Sequence, residues 1–520
     1  MLKVYYKRDK DKIDIPLSQG FSHKRYQYNT ILKFYKEYLR GNSLNHTLAI
    51  TGLRRIGKTT ILLQLYNELS DVCYMDCSGS ETADDIEQVL IDIKNHGIKV
   101  CLIDEICKLN SNMFHGKEIF SSLMKIWYTD IFFIFTGSVS LVVEDIASQI
   151  CDCYMIKMPP ITYLEELYWE NEGCSETDLL AKSTMKSLYT YLTCNNFFTR
   201  DHVMYLRGIF NDYSETVYGK ELEQLRDNNK ISLLLDYIRC SNTIHRAIGT
   251  VNKKLIPKKF NDLQPFVLLD RFSDEDRKYI KSIHRKINAV KDSVKAEDLS
   301  MLCDFLVNVG LIKQAKYYTS QGKNSTRNDV KIEDTYIPFY IPIAPQLIYD
   351  EFKINTKGKL INGKLKAEYI KSITVSYMDS WIENILYSAM SDIYFNSGFY
   401  RSAKGDSEVD ILYKIEDYDR YEDNTNYFVE VKNKTYKNMY KDMNKYDKLS
   451  IESIKEFVIT NSDVRFRKID GHKVQYVMRN DILLLLLQME YFRIQENELL
   501  TSNNSVIDLY RMYSKEGDRV

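Results

Sequence analysis

Apolar positions along this chain fall first into short unbroken runs and then into stripes of helical spacing, and the two alternate. Leu48-Ala49-Ile50-Thr51 closes on Gly52, and after four further residues Gly57-Lys58-Thr59 opens a helical stripe running to about Leu69. Val72-Cys73-Tyr74-Met75 reads as the next strand and Ala83 to Lys94 as the next helix. After Lys99, Val100 to Ile103 is a fully apolar strand that ends in Asp104-Glu105, and a helix around Lys117 to Tyr128 leads into the strand Ile131 to Phe135, which ends in Thr136-Gly137-Ser138. Strands without polar alternation are those buried on both faces, as in a parallel sheet covered by helices. The alternation therefore predicts an α/β fold.

The rhythm differs on either side. Residues 1–45 read as a polar lead-in with one helix, Lys24 to Leu39. From about Cys151 the pattern changes: Pro159-Pro160 interrupts it, Thr162-Tyr163-Leu164-Glu165-Glu166-Leu167 reads as an N-capped helix start, and helical segments with polar breaks continue to about residue 260. Glu297 and Asp298 suit the positive end of a helix running to Val309, which Gly310 ends. With the strands Leu311-Ile312-Lys313 and Tyr336 to Pro342 and the polar stretch Thr319 to Asp334 between them, this helix resembles a winged-helix unit, a module used for DNA contact and for packing alike. The last third holds a helix from Ser376 to Met390, strands at Glu408–Tyr413, Tyr427–Lys432, Glu456–Thr460 and Val474–Val477, and a closing helix from Asp481 to Phe492. At 520 residues the chain is too long for one core. The predicted divisions are a lead-in at 1–45, a nucleotide-binding domain at 46–165, a helical subdomain at 166–260, a winged-helix-like domain at 261–345 and a last α/β domain at 346–520.

Composition adds bounds. Hydrophobic residues make up 44% and charged residues 28%, ordinary for a soluble globular protein, with a heavy load of 40 tyrosines. A net charge of -1 argues against coating nucleic acid through charge alone and leaves room for a local basic patch. The ten cysteines all lie at or before Cys303 and form no CxxC pair, which favours buried reduced thiols over a zinc site and fits a cytoplasmic location. The apolar run Ile482 to Leu487 is far too short to cross a bilayer, and Met1 to Lys10 lacks the apolar stretch of a signal peptide, so no membrane partner is expected.

Two constellations carry chemistry. In Gly52-Leu53-Arg54-Arg55-Ile56-Gly57-Lys58-Thr59-Thr60, glycines let backbone N–H groups turn around an anion and the next helix offers its positive end. Lys58 supplies a point charge for the β and γ phosphates, and the Thr59 hydroxyl can ligate Mg²⁺. Asp104 would hold the ion's water shell and Glu105 would polarise the attacking water. Thr136 and Ser138, at the end of a strand expected between the P-loop and acidic strands, are candidate γ-phosphate sensors; alternatively they begin the next helix. The expected ligands are ATP and Mg²⁺.

The second constellation is Asp410, Glu430 and Lys432. Residues two apart on a strand share a face, so Glu430 and Lys432 point one way and Val429 and Val431 the other. Asp410 and Glu430 can hold one hard cation, with Glu383 from the preceding helix completing the acidic set. Lys432 would orient or deprotonate water for metal-assisted phosphodiester hydrolysis. The competing reading is a salt bridge at a strand end. Beyond it, Asn433-Lys434-Thr435-Tyr436-Lys437-Asn438-Met439-Tyr440-Lys441 interleaves basic residues with tyrosines, as a phosphate-binding edge with stacking rings does; a solvated helix face is the alternative.

The P-loop, Leu102-Ile103-Asp104-Glu105, Thr136-Gly137-Ser138 and Pro160-Ile161-Thr162-Tyr163-Leu164-Glu165-Glu166 together resemble the prokaryotic AAA-like ATPases of the STAND-related type. Members commonly carry a C-terminal restriction-endonuclease-like domain of the PD-(D/E)xK fold. Trp381-Ile382-Glu383-Asn384, Glu408-Val409-Asp410 and Glu430-Val431-Lys432 match its helix and strands in order and spacing. The chain departs from the family where a Gly-Arg pair usually precedes the proline-containing helix start, since Gln149 to Lys157 contains no arginine. Arg54, Arg55 and Lys157 are the available substitutes. The resemblance implies an ATP-hydrolysing protein that couples a nucleotide switch to binding or cutting nucleic acid, DNA among the candidate partners. A homo-oligomer stays open. The alternatives are an ATP-gated regulatory protein whose nuclease fold only binds, and ATP binding without turnover.

Overall fold

The computed structural model describes residues 3–6, 23–41, 45–77, 83–108, 130–150, 153–194, 307, 312–320, 332–342, 382–394, 396–401, 408–415, 426–449 and 454–514. They fall into two compact units, one holding the described residues through 161 and the other those from 162 onward. The helix expected at 117–128, that at 297–309 apart from residue 307, most of the polar stretch 319–334 and the helical segments from 195 to 260 lie outside the described residues.

The first unit is a six-stranded sheet. Its strands are β1 (Lys3–Tyr6), β2 (Thr47–Gly52), β3 (Val72–Asp76), β4 (Val100–Asp104), β5 (Phe132–Thr136) and β6 (Tyr154–Met158), in the order β1-β3-β4-β5-β2-β6. Helices α1 (Gln27–Leu39), α2 (Lys58–Glu68), α3 (Ala83–Asn95) and α4 (Ser140–Gln149) accompany them. β3, β4, β5, β2 and β6 run parallel, with β5 inserted between the glycine-loop strand and the acidic strand as the pattern predicts. Every residue of β2, β4 and β5 is buried, which is why these strands read as unbroken apolar runs. β1 was not expected. It pairs antiparallel with β3 at the sheet edge, where a strand needs apolar residues on neither face, so Lys3-Val4-Tyr5-Tyr6 carries no strong pattern.

The second unit begins at Thr162, whose hydroxyl accepts the Glu165 N–H while the Glu165 carboxylate accepts the Thr162 N–H, a capping box that starts the next helix. Its helices are α5 (Tyr163–Glu170), α6 (Glu176–Lys182), α7 (Met185–Cys194), α8 (382–393), α9 (Tyr436–Tyr440), α10 (Met443–Asp447), α11 (Asn480–Glu496) and α12 (Val506–Tyr513). Its strands are β7 (Ile312–Ser320), β8 (Ile332–Pro342), β9 (Gly398–Arg401), β10 (Glu408–Tyr413), β11 (Asn426–Glu430), β12 (Ile454–Asn461), β13 (Phe466–Lys468) and β14 (Tyr476–Arg479). They form one mixed sheet in the order β13-β14-β12-β11-β10-β9-β7-β8. β7 and β8, the two strands read from the sequence as part of a winged-helix unit, form an antiparallel hairpin that joins this sheet through parallel pairing of β7 with β9.

Ile482 to Leu487 in α11 are all fully buried, so this helix is apolar all round because it is central to the unit. Polar bonds of long sequence range fasten α5 to α7 onto it. Gln488 Oε1 accepts the Leu164 N–H at 2.9 Å, Arg479 Nη2 donates to Ser183 O at 2.7 Å, and the Ser183 hydroxyl donates to Asp481 Oδ2. None of the described helices is long and apolar enough to cross a membrane.

Candidate functional site

In the first unit the site is built where β2 hands over to α2. Gly52 has φ +131°, and a Cβ placed there would lie 2.4 Å from the Met158 carbonyl oxygen, so β6 passes where no side chain fits. Arg55 (φ 64°) and Gly57 (φ 98°) are left-handed, and such turns let successive N–H groups face one anion. Arg54 is half-buried, Arg55 exposed and Thr60 half-buried, flanking the loop. Lys58 is only 6% exposed, and its ammonium donates to Gly52 O at 2.8 Å and Leu53 O at 2.6 Å. Burial pulls its pKa down to about 8, against the raising influence of Glu105, Cys107 and Asp104.

Two supports escaped sequence reasoning. Buried Arg25 sits behind the loop, its guanidinium donating to Ile56 O and, at 2.9 Å, to Pro159 O. An arginine in a polar lead-in gives no signal of this. Ser140, the first residue of α4, brackets Gly52: its hydroxyl accepts the Gly52 N–H and lies 3.0 Å from the Gly52 carbonyl it can donate to. The Thr136 hydroxyl donates to Ile50 O at 3.0 Å and so ties β5 to β2, while Ser138 is half-buried beyond the strand end. A Cβ at Gly137 would lie 2.2 Å from Cys107 Sγ, so a side chain there would force the Cys107 thiol to move.

The acid pair lies at the end of β4. Asp104 Oδ2 accepts the Tyr74 hydroxyl at 2.8 Å, Oδ1 accepts the Glu105 N–H at 3.0 Å, and the Thr59 hydroxyl also bonds this carboxyl. Burial raises the Asp104 pKa, and the Tyr74 and Thr59 bonds oppose that rise. Glu105 has φ 54°, a strained value for a non-glycine residue, and its Oε2 is buried with no hydrogen-bond partner among the described residues. A cradle too tight for a Cβ, a buried ammonium, a hydroxyl–carboxylate pair and an orphaned carboxylate oxygen form the donor set that a nucleoside triphosphate and a hard divalent cation require.

In the second unit Asp410 and Glu430 lie on antiparallel neighbours β10 and β11 and interlock. Glu430 Oε2 accepts the Asp410 N–H at 3.2 Å, and Asp410 Oδ2 accepts the Val431 N–H at 2.9 Å. The Lys432 ammonium pairs with Glu430 Oε1 and lies 3.6 Å from Asp410 Oδ2. Tyr446 donates to Glu430 Oε1 at 2.9 Å. The Lys432 backbone is pinned as well: Thr460 Oγ1 accepts its N–H at 2.8 Å, and its carbonyl accepts Asn480 Nδ2 at 3.0 Å. Tyr446, Thr460 and Asn480 were not anticipated, because each reaches the site from another element.

Burial and the Asp410 charge push the Glu430 carboxyl up to about 7, with Lys432 opposing them. Burial acts to lower the Lys432 pKa, but Asp410 and Glu430 together outweigh it and hold the ammonium protonated. In this state Lys432 suits orienting a water better than deprotonating it. Glu383 is half-buried on α8, and among the described residues no group of three acids, histidines or cysteines is close enough to hold a metal, so Glu383 is not gathered with Asp410 and Glu430.

Fold and loop define the first unit as a P-loop nucleotide-binding domain with a strand inserted between its glycine-loop and acidic strands. Residues 44–167 match the AAA domain family, which makes this part of the chain an AAA-type P-loop ATPase domain. No curated protein sequence matches the chain. Among solved structures, a Walker-type ATPase of Pyrococcus abyssi is 15% identical, covering 62% of this chain and 95% of its own, with a TM-score of 0.32. The Aeropyrum pernix ORC1 protein in complex with DNA is 12% identical over 70% of this chain and 98% of its own, at 0.24. The Thermotoga maritima RuvB Holliday junction branch migration motor is 13% identical over 56% and 88%, at 0.25. At such scores the superpositions carry no argument, and the assignment rests on the family match and the site.

Proposed function

We propose that this protein binds and hydrolyses ATP through its first unit and that the nucleotide state governs a nucleic-acid-processing site in its second. The observation that carries the ATPase half is the orphaned Glu105 oxygen beside an Asp104 carboxyl already bonded to Thr59. Lys58 would turn from the loop carbonyls to the β and γ phosphates, the loop N–H groups between Gly52 and Thr60 would cradle them, and Thr59 and Asp104 would hold Mg²⁺. Arg54 and Arg55 flank the phosphates, and Ser138 is the better placed of the two candidate sensors because the Thr136 hydroxyl is engaged with β2. Glu105 would take its missing hydrogen bond from the attacking water. Bound Mg²⁺ supplies neutralisation of the charge that develops on the phosphates.

In the second unit Asp410 and Glu430 would share a divalent cation and Lys432 would orient water for phosphodiester cleavage. The order helix, three antiparallel strands, helices and a parallel strand, from α8 through β12, supports the restriction-endonuclease-like reading. A second reading, binding without cutting, is favoured by the gathering of only two acids there among the described residues, with the Lys432 ammonium between them.

The tests are separable. Lys58→Ala should abolish ATP binding, and Glu105→Gln should retain binding and lose phosphate release; full release from Glu105→Gln would refute its assigned role. Asp410→Ala and Lys432→Ala should each abolish a Mg²⁺-dependent nick in DNA. If wild type never cuts under any nucleotide condition, the binding-only reading replaces the nuclease.

A further inference from the structure

Four residues beyond Lys432 the chain forms the single turn of α9, which places Tyr436 and Tyr440 on one face at i and i+4. Their ring centroids are 5.8 Å apart. The Arg467 guanidinium, from β13, lies 5.0 Å from the Tyr436 ring, and the His472 ring meets Tyr440 edge-on at 6.0 Å. The result is a continuous row, Arg467, Tyr436, Tyr440, His472. It stands on a firm base: Met439 and Met443 are buried beneath it, Asp463 Oδ1 accepts the Tyr436 N–H at 2.7 Å, and Lys434 O accepts the Ser462 N–H at 3.0 Å.

Tyr440 nevertheless keeps 49% of its surface in solvent. Around the row Lys434, Lys437, Lys441, Arg467 and Lys468 are exposed. Of the nearby acids, Asp463 is engaged by the Tyr436 backbone, Asp447 is paired with His472, and Asp442 and Asp470 are exposed. Cations therefore outnumber acids on this surface. Four residues of chain span at most about 14 Å, so the row begins beside the acidic centre.

Resting on the reading of Asp410, Glu430 and Lys432 as a phosphodiester site, we infer that this row is a docking track for single-stranded nucleic acid, whose bases stack on Tyr440 while its phosphates meet the lysines. A duplex presents phosphates to the same lysines, but its base faces are already stacked and have nothing to give the exposed ring. Ring stacking and cationic contact together select an unpaired strand.

The test is binding of the full chain, in EDTA to prevent cutting, to a labelled single-stranded oligonucleotide, as DNA and as RNA, and to the matching duplex. Tyr440→Ala should lower affinity for the single strands roughly tenfold, while duplex affinity changes by less than about twofold. Tyr440→Phe, which keeps the ring, should bind like wild type. Lys437→Ala should reduce the slope of log affinity against log salt by about 0.7 on the single strand. Unchanged binding by Tyr440→Ala, or equal loss on duplex and single strand, overturns the track and leaves the phosphodiester reading standing. Failure of wild type to bind any nucleic acid overturns the track, whereas the phosphodiester reading, whose cation EDTA removes, falls only if no Mg²⁺-dependent nick is found.

Discussion

Gly52 and Gly57 both have positive φ, yet the structure predicts that alanine at the two positions does different things. At Gly57 (φ +98°) the nearest atom to a new Cβ is Arg25 Cγ at 4.0 Å, so the substitution costs only the backbone conformation, roughly 1–2 kcal/mol. At Gly52 (φ +131°) a similar conformational cost applies, and the Cβ also lies 2.4 Å from Met158 O and 2.7 Å from Ile56 Cδ1. Met158 is the direct β6 partner of Gly52, so relief requires moving paired backbone by about 1 Å, and overpacking of this kind adds about 1–3 kcal/mol. That extra term should appear as opening of the β2–β6 edge. Amide hydrogen exchange in a peptide spanning 154–158 should be about tenfold or more faster in Gly52→Ala than in wild type. Gly57→Ala should leave that peptide near wild type while still weakening ATP binding through the altered loop. If Gly57→Ala loosens β6 as much, or Gly52→Ala does not loosen it, the close-approach account is wrong.

Three further outcomes follow from groups away from the loop face. Burial lifts the Glu456 carboxyl to about 7, despite hydrogen bonds from Ser505 at 2.7 Å and Tyr413 at 3.2 Å. Its folded pKa is thus above the unfolded value near 4.5; the favourable contribution is full below that value and is lost as pH rises to about 7, on the order of 3 kcal/mol. Glu456→Gln should therefore melt with wild type at about pH 5 and above it at about pH 8, and a variant that melts below wild type at about pH 8 would count against the assignment. The Gln27 side chain is fully buried with neither amide atom hydrogen-bonded among the described residues, so Gln27→Leu should raise the melting temperature of nucleotide-free protein by a few degrees; a fall would show that the amide has a partner. Arg25→Lys keeps the charge and loses the fork that reaches Ile56 O and Pro159 O together, so ATP affinity should drop several-fold with little change in melting, and unchanged affinity would limit Arg25 to packing.

What the sequence reveals here depends on how locally each feature is encoded. The P-loop was legible because Gly52, Gly57, Lys58 and Thr59 are restricted by one short turn, and the acidic strand because burial on both faces leaves Asp104 as the first polar residue. The expected strand Tyr427–Lys432 ends at Glu430, so the pairing of Lys432 with Glu430 is made from just beyond the strand and does not rest on its two-residue period. By contrast, Arg25 reaches the loop across 31 residues, and Gln488 meets Leu164 across 324, distances over which no local pattern reports. The same limit explains why α5 to α7 read as a free helical continuation although Leu164 and Ser183 bond Gln488 and Asp481 of α11 and Tyr189 bonds Asn433. Thr136 shows a subtler limit: its position at a strand end was legible, but the bond its hydroxyl donates to Ile50 O on the adjacent strand was not. The acidic centre divides along the same line. Spacing names Asp410, Glu430 and Lys432, but the frame of Tyr446, Thr460 and Asn480 around them comes from other elements that no local pattern reports. Glu430 is itself only 3% exposed, and a buried carboxylate needs such partners whatever else it does. The frame fixes the Lys432 backbone and satisfies the Glu430 carboxylate, which a structural ion pair and the proposed site both require, so only the Asp410 and Lys432 variants separate the two.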